Sequence, residues 1–199
     1  MRLHCATTNP GKLREFRLAL QHSFSVEPLP GLAGIPPCDE TGATFEENAV
    51  QKALYYSQHC GGYLFVDDSG LEVDALSGEP GVRSARFAGP DATDEANNRL
   101  VLARMQGVPD RTARFVCVVA LAASGRMIET FRGVVEGQLL EEPRGSNGFG
   151  YDPLFFYPPF NCSFGEAALE QKMQVSHRAQ ALKAMLAYLE SFVQPGASS

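Results

Sequence analysis

Paired cysteines, a membrane-length apolar run and an excess of positive charge are all missing from this chain of 199 residues. Its five cysteines, Cys5, Cys38, Cys60, Cys117 and Cys162, are scattered and form no C-x-x-C pair. That disfavours a zinc site or a disulfide framework and fits a reducing cytosol. No apolar run approaches the ~20 residues that span a bilayer. Met1-Arg2-Leu3-His4 leads into the fold without a secretory apolar stretch, so the expectation is a soluble, cytoplasmic protein. The net charge of −6 speaks against duplex DNA or an anionic membrane as partner. It leaves room for a nucleotide, because a few lysines and a metal ion offset phosphate charge. G-x-x-x-x-G-K-[ST] and G-x-S-x-G are both absent, which excludes a Walker loop and disfavours a serine hydrolase. His4, His22 and His59 show no metal-ligand spacing, and there are no internal repeats.

What is present is a core-forming composition: 44% apolar and 20% charged residues, the balance of a globular domain. Leu3 to Thr7 reads as a strand running into a polar turn and then a helix with Leu13, Phe16, Leu18 and Leu20. Val26 to Leu29 reads as a second strand. Thr44-Phe45-Glu46-Glu47 is a capping box that starts a helix reaching about His59. Tyr63 to Val66 is a strand ending in an expected turn at Asp67-Asp68-Ser69-Gly70, with Leu71 to Leu76 a separate edge or hairpin strand. Helix Thr93 to Met105 follows. Buried strand Ala113 to Ala122 then hairpins through Ser124-Gly125 into Met127 to Glu136. Gly148 to Pro153 is a loop before Leu154-Phe155-Phe156, and a last helix starts near His177. Helices interleave with strands at both ends while the middle is hairpin-like. The expected fold is therefore α/β, a mixed sheet flanked by helices, with two lobes and a cleft between them. One two-lobed domain over residues 1–193 and a disordered tail over 194–199 are expected.

Several stretches carry candidate chemistry, each with a structural alternative. Asp67 and Asp68 sit at a strand end, where ligands bind in open α/β sheets; Asp, Ser and Gly also favour turns. Adjacent strand residues point to opposite faces, so only one of the two carboxylates aims at a given ligand. Thr7, Thr8, Asn9, Pro10, Gly11 and Lys12 place hydroxyls, an amide and a lysine at a helix N-terminus, a natural phosphate site. Glu46 and Glu47 suit the capped helix start, whereas Glu40 is freer to reach a metal. Lys52 is by default solvated. Phe149, Gly150, Tyr151 and Asp152 form an aromatic loop that can stack on a base or simply turn the chain. Gln171-Lys172 and Ser176-His177-Arg178 offer cations and donors, although Ser176 also suits a helix cap.

Taken in order, Thr7 to Lys12, Thr44 to Ala49, Val66 to Leu71, Pro80 to Phe87, Gly148 to Pro153 and Ser176 to Arg178 closely resemble the inosine triphosphate pyrophosphatase family, over about residues 3–190. The resemblance implies hydrolysis of ITP, dITP and XTP to the monophosphate and pyrophosphate by a Mg²⁺-dependent homodimer. It also implies an elongated mixed sheet with a central active-site cleft. Asp68 matches the general base and a metal-site residue, and Glu40 a second metal-site acid. Thr7 to Lys12, Lys52, Ser69 and Lys172 match phosphate-side contacts. Phe149 to Asp152, His177 and Arg178 match the base side. Gln171 departs from the pattern, since an acid commonly precedes that lysine. Two readings remain beside this one: a nucleotide sensor or scaffold that does not hydrolyse, and a pyrophosphatase for other modified nucleotides.

Overall fold

The chain opens with β1 (Arg2–Cys5), α1 (Pro10–Leu20), β2 (Ser25–Pro28) and α2 (Phe45–Ser57). The long strands β3 (Tyr63–Val73), β4 (Thr112–Ala123) and β5 (Arg126–Leu139) follow, with α3 (Asp94–Arg104) between the first two. Short β6 (Phe155–Tyr157), β7 (Cys162–Ser163) and α4 (Leu169–Lys172) precede α5 (His177–Val193). In the computed structural model, which describes residues 2–193, the strands form one open seven-stranded sheet in the order β2-β1-β3-β4-β5-β6-β7. β1 pairs in parallel with β2 and β3, and the remaining neighbours are antiparallel. The fold is thus a mixed α/β sheet, as the interleaving of helices and strands predicts. Among the described residues no helix is long and apolar enough to cross a membrane. The expected disordered tail lies outside the described residues.

Local chemistry starts each helix. The Asn9 side chain caps α1 by accepting from Gly11 N and Lys12 N, with Pro10 at the first helical position, where its missing N–H costs nothing. Thr44 and Glu47 close the expected capping box on α2, and Thr93 caps α3 through Ala96 N. Ser176 Oγ accepts from Ala179 N at 3.2 Å, so its structural alternative holds.

Apolar faces then fix the layers. Phe16 and Leu20 of α1 and Ala181, Leu182, Met185 and Leu189 of α5 pack on Leu3, Phe65 and Val119 on one face of the sheet. Phe45, Ala49 and Ala53 of α2 cover Leu64, Val66, Val116 and Val118 on the other. A third cluster joins Val101 and Met105 of α3 to Leu71, Phe115, Leu154, Phe155 and Phe164.

One expectation fails. No turn occurs at Asp67-Asp68-Ser69-Gly70, and Leu71 does not begin a new strand. β3 runs unbroken, paired with β4 from Tyr63↔Ala123 to Val73↔Ala113. Turn propensity loses to the continuous ladder offered by apolar β4. Gly70 serves close approach instead: a Cβ there would lie 2.2 Å from Ser84 Oγ and 2.6 Å from Gly81 O. Ser84 Oγ meanwhile accepts from Leu71 N at 2.9 Å. The serine thereby ties the 3₁₀ segment Gly81–Arg86 to the strand.

Candidate active site

Because β3 is unbroken, its two acids point to opposite faces of a strand that β1 pairs with only at Leu64 and Phe65. Asp67, with Phe65 and Ser69, faces α1 and α5, while Asp68, with Leu64 and Val66, faces α2. Asp67 Oδ1 accepts from Lys12 Nζ at 2.9 Å, and its Oδ2 takes Arg178 Nη2 at 3.1 Å and Ser69 Oγ at 2.9 Å. Of the two roles open to Asp67, support of the turn or of the metal shell, the first falls because there is no turn, and both of its oxygens are engaged by cations. Burial pushes its pKa up, but Lys12, Arg178 and Lys52 together outweigh burial and hold it well below the usual carboxylate range.

Asp68 behaves in the opposite way. Its Oδ1 accepts from Lys52 Nζ at 2.7 Å, and Asn48 Nδ2 lies 3.5 Å from Oδ2. Burial raises its pKa, and the lysine offsets only part of that rise. Lys52 is far from solvated, because its ammonium also lies 3.4 Å from Glu40 Oε1. Burial lowers the Lys52 pKa, yet Asp68 and Glu40 carry it above its usual value. Arg86 Nη1 approaches the other Glu40 oxygen at 3.4 Å.

Glu40 and Asp68 therefore converge on one cationic position. Among the described residues no group of three or more His, Cys, Asp or Glu side chains gathers to hold a metal. A pair of carboxylates is nonetheless the donor set Mg²⁺ accepts when waters and substrate phosphates complete its shell. The two acids expected at a metal site fit that ion.

A cavity of about 120 Å³ opens on the Asp67 side of β3. Asn9, Lys12 and Ser69 line it together with Phe149, Gly150, Tyr151, Asp152, Lys172, His177 and Arg178, and Phe115, Ser84 and the α3 residues Asp94 and Asn97 are also in its wall. The structure thus brings Asn9, Lys12, Ser69 and Lys172 of the expected phosphate side together with the base-side residues, whereas Lys52 lies on the α2 side with Asp68. Thr7 instead supports the α1 turn, its Oγ1 accepting from Asn9 N at 3.2 Å, while Thr8 and Pro10 are exposed. The Phe149 ring lies against Gly11, where a Cβ would meet Cδ1 at 2.5 Å. The His177 ring stacks on Phe115 at 4.8 Å, and its buried Nδ1 has no partner among the described residues. Burial, reinforced by Arg178 and Lys172, holds the imidazole far below its usual pKa, so it is neutral at pH 7.

Beneath the cavity lies a residue the sequence reading missed. Glu15, 1% exposed, pairs with Lys172 Nζ at 2.8 Å and with Arg178 Nη1. Lys172 also reaches Asp152 Oδ2 at 2.6 Å, so with Gln171 before it the lysine is paired by Glu15 and Asp152. Burial raises the Glu15 pKa, but Arg178 and Lys172 bring it below the usual range. The available signal was an acid one turn after Lys12, next to core Phe16. Asn97 and Asn98 were also missed. Amides inside a helix are unfavourable unless their side chains have work elsewhere, and Asn97 bonds Ala88 N at 2.8 Å and Ala85 O at 3.2 Å. Thiol chemistry has no place here: burial, then the Asp67 charge, pushes the Cys5 thiol up to about 12.

Residues 3–188 match the model of the Ham1 family. A dITP/XTP pyrophosphatase from an Exiguobacterium species is 48% identical over 195 residues, covering 98% of this chain and 100% of its own. One from Acidobacterium capsulatum is 49% identical over 197 residues, covering 94% and 97%. The solved Ham1 protein of Staphylococcus aureus superposes with a TM-score of 0.86 at 38% identity, covering 96% of this chain and 100% of that one. A nucleoside-triphosphatase, dITP/XTP pyrophosphatase, from Mycobacterium abscessus gives 0.72 at 39% identity, covering 94% and 99%.

Proposed function

Since the chain belongs to the Ham1 family, we propose that it hydrolyses deaminated purine nucleoside triphosphates, ITP, dITP and XTP, to the monophosphate and pyrophosphate. The observation that carries the mechanism is the division of two neighbouring acids between the faces of β3: Asp67 is locked by Lys12 and Arg178, while Asp68 shares Lys52 with Glu40. Asp68 takes the proton from water as its oxygen forms a bond to the α-phosphorus. The bond to the bridging oxygen breaks and pyrophosphate leaves with the electron pair. Lys12 and Lys52 meet the charge that spreads over the phosphate oxygens. Mg²⁺, held by Glu40 and Asp68, supplies Lewis-acid neutralisation of those oxygens when bound.

The base enters between the Phe149–Asp152 loop and the floor made by His177, Arg178 and Lys172. Donors facing a 6-keto group leave the 6-amino group of ATP opposed to another donor, and such mispairing rejects an analogue by on the order of 10⁴-fold. Burial of Lys172 between two carboxylates supports a place for it on this base side rather than at the phosphates. The working unit is a single two-lobed domain, acting as a cytosolic homodimer. Sedimentation should give about twice the 21.6 kDa chain mass.

Pyrophosphate release with Mg²⁺ across ITP, dITP, XTP, GTP, ATP and modified pyrimidine or oxidised nucleotides tests the reading. Rapid release from the deaminated purines and little from ATP is expected. Binding without release would leave a sensor, and equal rates on ATP would remove the base discrimination.

A further inference from the structure

The loop that walls the base side of the cavity is held by a helix to which no role has been assigned. Gly150 N donates to Asp94 Oδ2 at 2.6 Å, and Gly150 O accepts from Asn98 Nδ2 at 3.1 Å. Asp94 and Asn98 lie one turn apart on α3, so they share a face. Both hydrogen-bonding groups of a single loop residue are therefore gripped by one helix. That residue has φ +62°, a left-handed conformation that glycine adopts without strain. Between the two, Asn97 grips Ala85 O and Ala88 N of the opposite wall. Tyr151 OH closes the circuit by donating to Ser84 O at 2.8 Å.

We propose that the first turns of α3 form a latch that sets where the aromatic loop sits over the cavity. Asp94 and Asn98 are positioning residues for base recognition. The assignment rests on the pyrophosphatase reading for its substrate and on the hydrogen bonds for its geometry. Asp94 is exposed and takes one N–H, whereas Asn98 is 8% exposed and buried against the fold. The helix itself is started by Thr93, whose hydroxyl accepts from Ala96 N, so the Asp94 carboxylate is not its N-cap. Opening the latch frees Gly150 and with it the ring positions of Phe149 and Tyr151. Contacts to the base loosen while the groups around Asp68 stay in place. The signature is a change in KM and in base preference rather than in kcat.

The test compares wild type with Asp94→Ala, Asn98→Ala, Asp94→Asn and the neighbouring exposed Glu95→Ala, which removes the same charge without touching the loop. Loss of a hydrogen bond to a charged group predicts a KM for ITP raised about tenfold in Asp94→Ala, with kcat within about twofold. The ratio of kcat/KM for ITP to that for ATP should fall by a similar factor. Asp94→Asn, which keeps an acceptor, should recover most of the loss, and Glu95→Ala should match wild type. Hydrogen exchange over residues 148–152 should quicken in Asp94→Ala while α3 keeps its protection. Unchanged KM and unchanged ITP-to-ATP ratio in Asp94→Ala overturn the positioning role, as does an equal effect from Glu95→Ala. If Asn98→Ala does not fold, Asp94→Ala at its exposed site still decides. If wild type releases no pyrophosphate from ITP, the pyrophosphatase reading falls by itself. The latch then stands or falls on hydrogen exchange alone.

Discussion

Removing Glu15 is the sharpest test of how the floor of the site is held. Three cations, Lys12, Lys172 and Arg178, meet three anions, Glu15, Asp67 and Asp152, in one connected and largely buried network. With all six groups ionised the cluster is formally neutral, although burial raises the Asp152 pKa against the pull of Lys172. Glu15→Ala leaves one positive charge in excess, shared between Lys172 at 3% and Arg178 at 2% side-chain exposure, both almost withdrawn from solvent. Breaking a buried pair from one side costs about 3–5 kcal/mol. With a urea m-value of roughly 2 kcal/mol/M, the midpoint should drop by about 1.5–2.5 M. Glu15→Gln, which keeps the shape and one acceptor, should cost less. The sign with pH follows from the lowered pKa of Glu15, whose ordinary value is 4.5. The unfolded chain binds the proton more readily, so this stabilisation is full above the ordinary value and is lost as pH falls through the lowered one. The gap between wild type and Glu15→Gln should therefore narrow only on strong acidification. A midpoint for Glu15→Ala within about 0.5 M of wild type, measured by circular dichroism, would refute the buried-network argument.

Asp68→Asn should reduce kcat by at least about 10²-fold, the share a positioned base contributes, with no loss of thermal stability. Near-wild-type turnover at saturating Mg²⁺ removes Asp68 from that role. Lys12→Ala should weaken triphosphate binding in calorimetry, and an unchanged affinity would move the phosphate contact elsewhere. Gly70→Ala brings a Cβ to 2.2 Å from Ser84 Oγ and 2.6 Å from Gly81 O. Such overpacking costs about 1–3 kcal/mol, or roughly 2–12 °C in melting temperature for a chain of this size. An unchanged melting temperature would mean that the 3₁₀ segment yields freely.

Elements with a local cause were legible in the sequence. The Thr44 capping box, the Thr93 start of α3 and the apolar run of β4 each appear within a residue or two of the expectation. The failure at Asp67-Asp68-Ser69-Gly70 has a non-local cause. Four turn-forming residues stay extended because β4 offers a full ladder and because Ser84, fourteen positions on, packs where a Cβ of Gly70 would lie. Of the contiguous stretches, Phe149 to Asp152 lines the cavity throughout, while Thr7 to Lys12 contributes Asn9 and Lys12 to it. Glu15, Asp94 and Asn98 were not legible, because each acts through a partner 56 to 163 positions away, except that Asn98 reaches Gly150 over 52. A single sequence carries no record of such pairings.

The geometry also separates two lysines that the resemblance groups together. Lys12 and Lys172 both touch the cavity, and both are ion-paired. Their surroundings differ in what a triphosphate can reach. The Lys12 side chain is 20% exposed and has one carboxylate partner at 2.9 Å, so its ammonium has donors to spare for an incoming anion. Lys172 is 3% exposed, lies between Glu15 and Asp152, and sits 5.1 Å from the Phe149 ring centroid. Its charge is already answered, and moving it toward phosphate would strand two buried carboxylates. The same reasoning applies to Arg178, held by Glu15, Asp67 and Ser69. One strand thus divides the labour of the site. In the proposed reaction its Asp67 side holds the floor under the base rigid, and its Asp68 side presents a carboxylate beside Lys52 to the reacting water.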